Sequence, residues 1–498
     1  MRSFDRGPLL LVCFVLLASA PVTRPAWAQR PAGRGQPPPP PPGFTPDTIV
    51  APHVDEPLIP FVPTGLTSAQ AAKRAVDTSF TSKAAEDLEN ALAQRRKGAK
   101  LDYLPAVTGT ARYTRLSVLT PPAGSTQGLS TDAPAGTLNP PTVAVASDSF
   151  PVFFDNFLIQ GDLTVPISDY FFKLKQALTA ATDSQEAAHF DVQTARALAS
   201  FTARQSYFDW LRSKGQLAIA EQTMALAQAH ANDSKLLFAA GSVTGADVLR
   251  AESVVAASEL AVQRARSRAS TTEWALRIVI HDEKVALEPG ETLDGELAPV
   301  TKEMRALIDE AFLTRPELKS ATKNAEASQK LAEVARADRI PALSAFAQGI
   351  VANPNARKFP AQNTFFPSWS AGVQIIWSPK RFLAGSPAGD ELDQRTAAIE
   401  AQRNANRDTI TREVVTAMNA VTEADAGLRT TIHQLDNARE AHRVSRQLYT
   451  AGRTTGTALL DAEFALAQAR FDHLNARVDA RVARVQLEHA VGRDIPAP

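Results

Sequence analysis

The chain repeats itself, and that limits its fold more than any other feature. At a shift of 211 positions, Leu237-Phe238-Ala239-Ala240-Gly241-Ser242-Val243-Thr244-Gly245 lies over Leu448-Tyr449-Thr450-Ala451-Gly452-Arg453-Thr454-Thr455-Gly456. The register continues with Leu249 over Leu460, Ala251 over Ala462, Glu252 over Glu463 and Leu276 over Leu487. Upstream, Leu104-Pro105-Ala106-Val107 echoes Ile340-Pro341-Ala342-Leu343 at another offset, so the copies differ in loop length. A length of 498 residues alone suggests about three ordinary domains; the self-match instead gives two tandem copies of one unit, 67–290 and 301–495, joined by 291–300.

Each copy reads as helix, strand, strand, long helix, short turn, returning helix. Around 107–116 and 343–351 the alternation has period 2. It is clearer where Phe157, Ile159, Leu163 and Val165 alternate with Asn156, Gln160, Asp162 and Thr164. It is clearest where Trp369, Val373, Ile375 and Trp377 alternate with Ser368, Ser370 and Gln374. Such segments present one apolar and one polar face, and about ten residues of tilted strand cross a bilayer. The strands alone fit a membrane barrel and a soluble antiparallel sheet equally well. The helices argue for the barrel: residues 170–236 and 389–450 are rich in Ala, Gln, Arg and Glu, and about 65 helical residues make a rod of about 100 Å, which a compact core does not use. Opening helices over 67–100 and 301–338, stacked on returning helices over 246–280 and 457–491, would match the long ones in length. Phe464, Ala467, Phe471, Leu474, Val478 and Val485, like Leu198, Phe201, Phe208 and Leu211, fall at 3- and 4-residue spacings and read as helix–helix packing.

The N-terminus adds an export signal. Arg2 and Arg6 precede an apolar run from Leu9 to Ala20, and Ala26-Trp27-Ala28 is a small-x-small cleavage site, so 1–28 reads as a signal peptide. Residues 29–66, with prolines 37–42 unbroken, read as an extended linker. The only cysteine, Cys13, lies inside the apolar run, which leaves no cysteine for a disulfide or a metal site in the mature chain. Equal numbers of basic and acidic residues, 53 each, argue against nucleic-acid binding. The sequence has no phosphate-cradling glycine loop, HExxH or G-x-S-x-G motif. Its eight histidines are scattered, and Glu86, Asp87 and Glu252 read as solvated helix carboxylates. No enzyme, cofactor or metal site is therefore expected.

Four membrane-length strands cannot close a barrel, since an open edge in lipid leaves backbone groups unpaired. Three chains would supply twelve strands with room for a lumen. The two-copy layout, the Leu-Pro-Ala and Ile-Pro-Ala entries to the first strands, Arg315-Pro316-Glu317-Leu318 opening copy two, and the paired Ala-Gly-x-x-Thr-Gly turns followed by Leu-x-Ala-Glu resemble the TolC family of outer-membrane efflux proteins. The resemblance runs from about residue 67 to 495. It implies an α+β membrane protein: a homotrimer in which an antiparallel α-helical coiled-coil barrel continues into a shared twelve-stranded β-barrel, four strands per chain. It places that assembly in the outer membrane with the helical tunnel in the periplasm, working with a periplasmic adaptor and an inner-membrane transporter in efflux or type I secretion.

The resemblance also assigns residues. The turns Gly241, Ser242, Val243, Thr244, Gly245 and Gly452, Arg453, Thr454, Thr455, Gly456 become the adaptor-docking tip. Tyr449 and Asp461 match gate positions, Ala458 stands where some relatives carry a first gate Asp, and Arg453 lies near a gate Arg position. Phe157, Ile159, Leu163, Val165, Trp369, Val373, Ile375 and Trp377 are expected against lipid, and the connections 119–150 and 352–366 outside the cell. The competing expectation is a non-conducting coiled-coil scaffold of the envelope, which shares the signal and the long helices but has no use for four alternating strands.

Overall fold

A computed structural model describes residues 62–117, 153–283, 287–293, 295, 297–359 and 361–494, all within the unit His53–Pro498. The expected signal peptide (1–28), nearly all of the 29–66 segment and the 119–150 connection lie outside the described residues.

Repeat one contains α1 (Ser68–Thr78), α2 (Phe80–Leu101), β1 (Ala106–Arg115), β2 (Asp155–Val165), α3 (Ile167–Phe172), α4 (Leu174–Ala239) and α5 (Gly245–Ile280). Repeat two contains α6 (Met304–Thr314), α7 (Pro316–Ala337), β3 (Ala342–Asn353), β4 (Phe366–Ile376), α8 (Pro379–Thr450) and α9 (Gly456–Val491). All four strands fall where the alternation placed them. At 66 and 72 residues, α4 and α8 are rods of about 100 Å or more.

Each expected opening helix is two helices. Ser79, in extended backbone, ends α1, and its hydroxyl accepts from the Ser82 N–H to cap α2. Arg315 breaks repeat two at the same place, with Pro316 opening α7 at a position where a missing N–H costs nothing. The returning helices end at these breaks. Thr78 Oγ1 donates to the Ile280 carbonyl at 3.1 Å, and Phe80 meets the His281 ring edge-on at 4.7 Å. In repeat two Thr314 Oγ1 donates to the Val491 carbonyl and Arg315 Nη1 to the His489 carbonyl. Helix α8 starts ten residues earlier than expected and carries Pro387 inside it, where the expected start at 389 had avoided the proline.

Among the described residues two large apolar clusters bind the helices, and a small one of Leu435, Leu466 and Ala469 joins α8 to α9. Tyr207, Trp210, Leu211 and Ile219 of α4 close against Leu276 and Ile280 of α5 and Leu474 and Val478 of α9. Leu307 and Leu318 close against Ile410, Val414 and Val421 of α8 and Val491 of α9. Each fully buried aliphatic or aromatic side chain contributes about 1.5–3 kcal/mol. Leu474, Val478, Val485, Phe208 and Leu211 are buried as the spacing predicts, whereas Leu198 and Phe464 are exposed. These two depart from the expected packing: periodicity puts a residue on a stripe but does not say whether the stripe's partner lies within the same chain.

Candidate functional site: the strand sheet and the helix tips

The strands form one antiparallel sheet ordered β1-β2-β3-β4. Each repeat supplies a hairpin, and β2 against β3 joins the hairpins, with Ile159 opposite Val351 and Leu163 opposite Ala347. Pairs Val107–Leu163, Tyr113–Phe157, Ala345–Val373 and Leu343–Ile375 bring apolar side chains from all four strands onto one face. That face is bare. Trp369 is 76% exposed, and Phe157, Ile159, Leu163, Val373, Ile375 and Trp377 are exposed with it; Val165, at the strand's end, is half-buried. A row of Gly109, Gly161 and Gly349 crosses the same face to Trp369.

The opposite face carries Thr108, Thr110, Thr114, Thr164, Ser344, Ser368 and Ser370, with amides around one carboxylate, but also Leu158, Phe346, Ile350, Phe366 and Ile376. Gln160 Nε2 donates to both oxygens of Asp162 at 2.9 and 2.8 Å, and Gln348 Nε2 to Oδ1 at 2.7 Å. At the end remote from the helices, Tyr113 Oη and Arg115 Nη1 both donate to Asp155 Oδ1, at 2.8 and 2.9 Å. Among the described residues neither β1 nor β4 has a strand on its outer edge. The sheet thus has one apolar face, an opposite face on which polar and apolar side chains mix, and, among the described residues, no strand at either edge. In water such an apolar face is a liability; against lipid it is the required surface.

At the far end of the helices the two turns are built alike. Gly241 and Gly452 have φ of +73° and +65°, the left-handed backbone that glycine adopts without penalty. Ser242 N–H donates to the Leu237 carbonyl and Gly241 N–H to that of Phe238, at 2.8 and 2.9 Å; Arg453 to Leu448 and Gly452 to Tyr449 repeat both distances. This six-to-one and five-to-two pair closes each helix end. Thr244 and Thr455 then cap the returning helices. Asp247 returns the favour to Thr244, accepting from its N–H at 3.0 Å and its hydroxyl at 2.7 Å, and those bonds hold the carboxyl below the usual range. Position 458 is Ala, so the second tip lacks the reciprocal bond.

The gate candidates do not meet. Tyr449 is buried, its hydroxyl 3.2 Å from Ser234 Oγ and its ring 5.3 Å from that of His230, and burial pushes the phenol up. Arg453 and Asp461 are exposed, and among the described residues no hydrogen bond or ion pair joins either to Tyr449. What sequence reading missed is the polar contact behind Tyr449. His230 Nδ1 lies 3.2 Å from Glu463 Oε1, linking the two hairpins, and burial raises the Asp233 carboxyl and lowers the His442 imidazole. His230 and Glu463 are 233 positions apart, and no spacing signal connects them. Glu252 and Glu86 are solvated as expected and also pair across helices, Glu252 with Lys235 on α4 at 2.9 Å and Glu86 with Arg196 at 2.7 Å. No group of three or more metal-ligating side chains occurs among the described residues.

The family description "Outer membrane efflux protein" matches residues 307–493. That stretch covers most of the second repeat. The fold agrees over nearly the whole described chain. It is similar to that of the outer-membrane channel OprN, with TM-score 0.71 and 18% identity over 87% of this chain and 94% of that one. The Campylobacter jejuni outer membrane channel CmeC gives TM-score 0.70 at 14% identity, covering 90% of this chain and 91% of its own. The Vibrio cholerae outer membrane protein VceC gives TM-score 0.68 at 16% identity, covering 85% and 96%. No curated protein matches the chain in sequence. The TolC-family resemblance and this fold therefore agree, and no helix among the described residues is long and apolar enough to cross a membrane.

Proposed function

We propose that three copies of this chain form an outer-membrane channel-tunnel that passes substrates outward from a periplasmic adaptor and an inner-membrane transporter. The observation that carries the proposal is the sheet with a bare apolar outer face and two open edges. Since β1 and β4 run antiparallel, the β4 edge of one copy can pair with the β1 edge of the next, and three sheets close a twelve-stranded barrel around the polar faces. In this reading the chain is a conduit and not an enzyme. A non-conducting scaffold would gain nothing from such a sheet.

The turns at 241–245 and 452–456 are the adaptor-docking tips, six per trimer. Arg453 and Asp461 line the narrow periplasmic end with Tyr449 packed behind them, and three copies of Asp461 on a threefold axis favour cation entry. The membrane part is tested by native mass and planar-bilayer conductance of the purified protein: a conducting trimer is expected, and a stable non-conducting monomer overturns the proposal. The docking part is tested by Val243→Asp with Thr454→Asp, which should abolish export while leaving trimer and conductance intact. Separately, Asp461→Ala should weaken cation preference.

A further inference from the structure

The strand exits toward the helices are equivalent places in the two repeats, yet they use their polar residues differently. At the shift of 211, Phe171 and Phe172 fall over Phe382 and Leu383, and all four are exposed. Asp169 and Tyr170 fall over Lys380 and Arg381. In repeat one both polar groups are engaged within the chain. Tyr170 Oη donates to the Tyr103 carbonyl at 2.8 Å, and Asp169 stands 3.9 Å from Lys173, which also reaches Asp338 at 2.5 Å. In repeat two Lys380 and Arg381 are exposed, and among the described residues they make no side-chain hydrogen bond or ion pair. Beside them, the Trp377 ring continues the apolar face of β4 one step past Ile375 and meets Phe382 at 6.5 Å, edge-on. Arg339 lies over the same Phe382 ring at 5.4 Å.

We propose that Lys380 and Arg381, flanked by Trp377 and Phe382, bind the headgroup of an anionic phospholipid in the leaflet nearest the helices. The inference rests on the outer-membrane reading of the sheet. Given that reading, Trp377 marks the depth where acyl chains end, because tryptophan settles at the boundary of the apolar band. The next residues start α8, which rises about 1.5 Å per residue, so both cations stand within a headgroup's reach of that boundary. A lipid phosphate supplies the charge they lack, its acyl chains lie along the exposed aromatic rings, and the attraction acts only near the surface. Repeat one has an internally paired Asp169 at the matching place, so a trimer offers three such sites and not six.

The test uses the full chain, purified, delipidated and titrated with phosphatidylglycerol or phosphatidylcholine of identical acyl chains under native mass spectrometry. The expected result is up to three phosphatidylglycerols per trimer, bound with a preference of roughly tenfold over phosphatidylcholine. Lys380→Glu with Arg381→Glu should erase that preference, as should the milder Lys380→Gln with Arg381→Gln, whereas Lys380→Arg with Arg381→Lys should keep it. Equal binding of the two lipids by the unaltered chain overturns the proposal. So does a preference that survives both charge-removing variants, or complete displacement of the lipid by inorganic phosphate, which would indicate a free-anion site. Loss of the trimer in the Gln variant also overturns it, because the cations would then face a neighbouring copy. Vesicle flotation separates the two levels of failure: a chain that floats but shows no preference lacks this site, whereas one that never floats has lost the membrane reading itself.

Discussion

Two tryptophans state the contrast between the halves of this molecule. Trp210, on α4, is fully buried among Tyr207, Leu211 and Leu276, while Trp369, on β4, is 76% exposed on the sheet. The helical part buries a core of large apolar groups, although others on the helices, Trp274 among them, are exposed; the sheet buries none of the apolar groups on one face and gathers its glutamines, serines and threonines on the other. The same residue type is therefore a core anchor in one region and a surface group in the other. In the proposed assembly the two regions answer to different solvents, the helical core to water and the bare face of the sheet to hydrocarbon.

The sharpest attack on that contrast is to truncate both rings. Trp210→Ala should cost about 3–5 kcal/mol of stability in chemical unfolding, and Trp369→Ala far less in detergent; comparable losses would mean the sheet has a protein partner instead of lipid. Next, Ile159→Arg or Val373→Arg should cost about 2–4 kcal/mol in bilayers, and Thr164→Arg on the inner face well under that. Equal tolerance in refolding assays into vesicles would reject the assignment of faces.

A smaller effect distinguishes the tips. Thr244→Ala should destabilise α5 by about 1 kcal/mol and Thr455→Ala α9 by less, because only Thr244 has the returning bond from Asp247. Helix-specific hydrogen exchange reads the difference. The smallest effect is electrostatic. Glu310, held by Arg493 Nε and Nη2 at 2.7 Å each and by Lys302 at 2.8 Å, has its carboxyl lowered to about 2. A depressed carboxylate stabilises the fold above its unfolded value and loses that contribution as pH falls from about 4.5 toward 2. Glu310→Gln should flatten the melting temperature across that window.

Much of this was legible in the sequence, for identifiable reasons. Period-2 alternation in residues such as Trp369, Val373 and Ile375 fixed both the strand and its outward face, because a strand has only two sides. The shift that lays Gly241 on Gly452 located both tips, since a left-handed helix end leaves few residue choices. Other features depended on neighbours that no local pattern names. Ser79 splits an opening helix through a cap that needs only one hydroxyl. Leu198 and Phe464 satisfy the apolar spacing yet face outward. The family resemblance assigns Tyr449 to a gate position, but its hydroxyl is turned to Ser234 on α4, a contact set by how the two hairpins pack. Glu463 pairs with His230 for the same reason.

The breaks at Ser79 and Arg315 have a mechanical consequence. The long helices α4 and α8 pass both joints without interruption, while beside them α5 stops where α2 starts and α9 stops where α7 starts. Across each joint the backbone ladder gives way to side-chain bonds on carbonyls, Thr78 on Ile280 in repeat one and Thr314 on Val491 with Arg315 on His489 in repeat two. Each repeat is therefore one stiff spar lashed to one jointed spar. Torsional stiffness along each repeat is uneven: high along α4 and α8, and lower in the neighbouring helix stack at the level of Ser79 and Arg315, which stand at matching places in the two repeats.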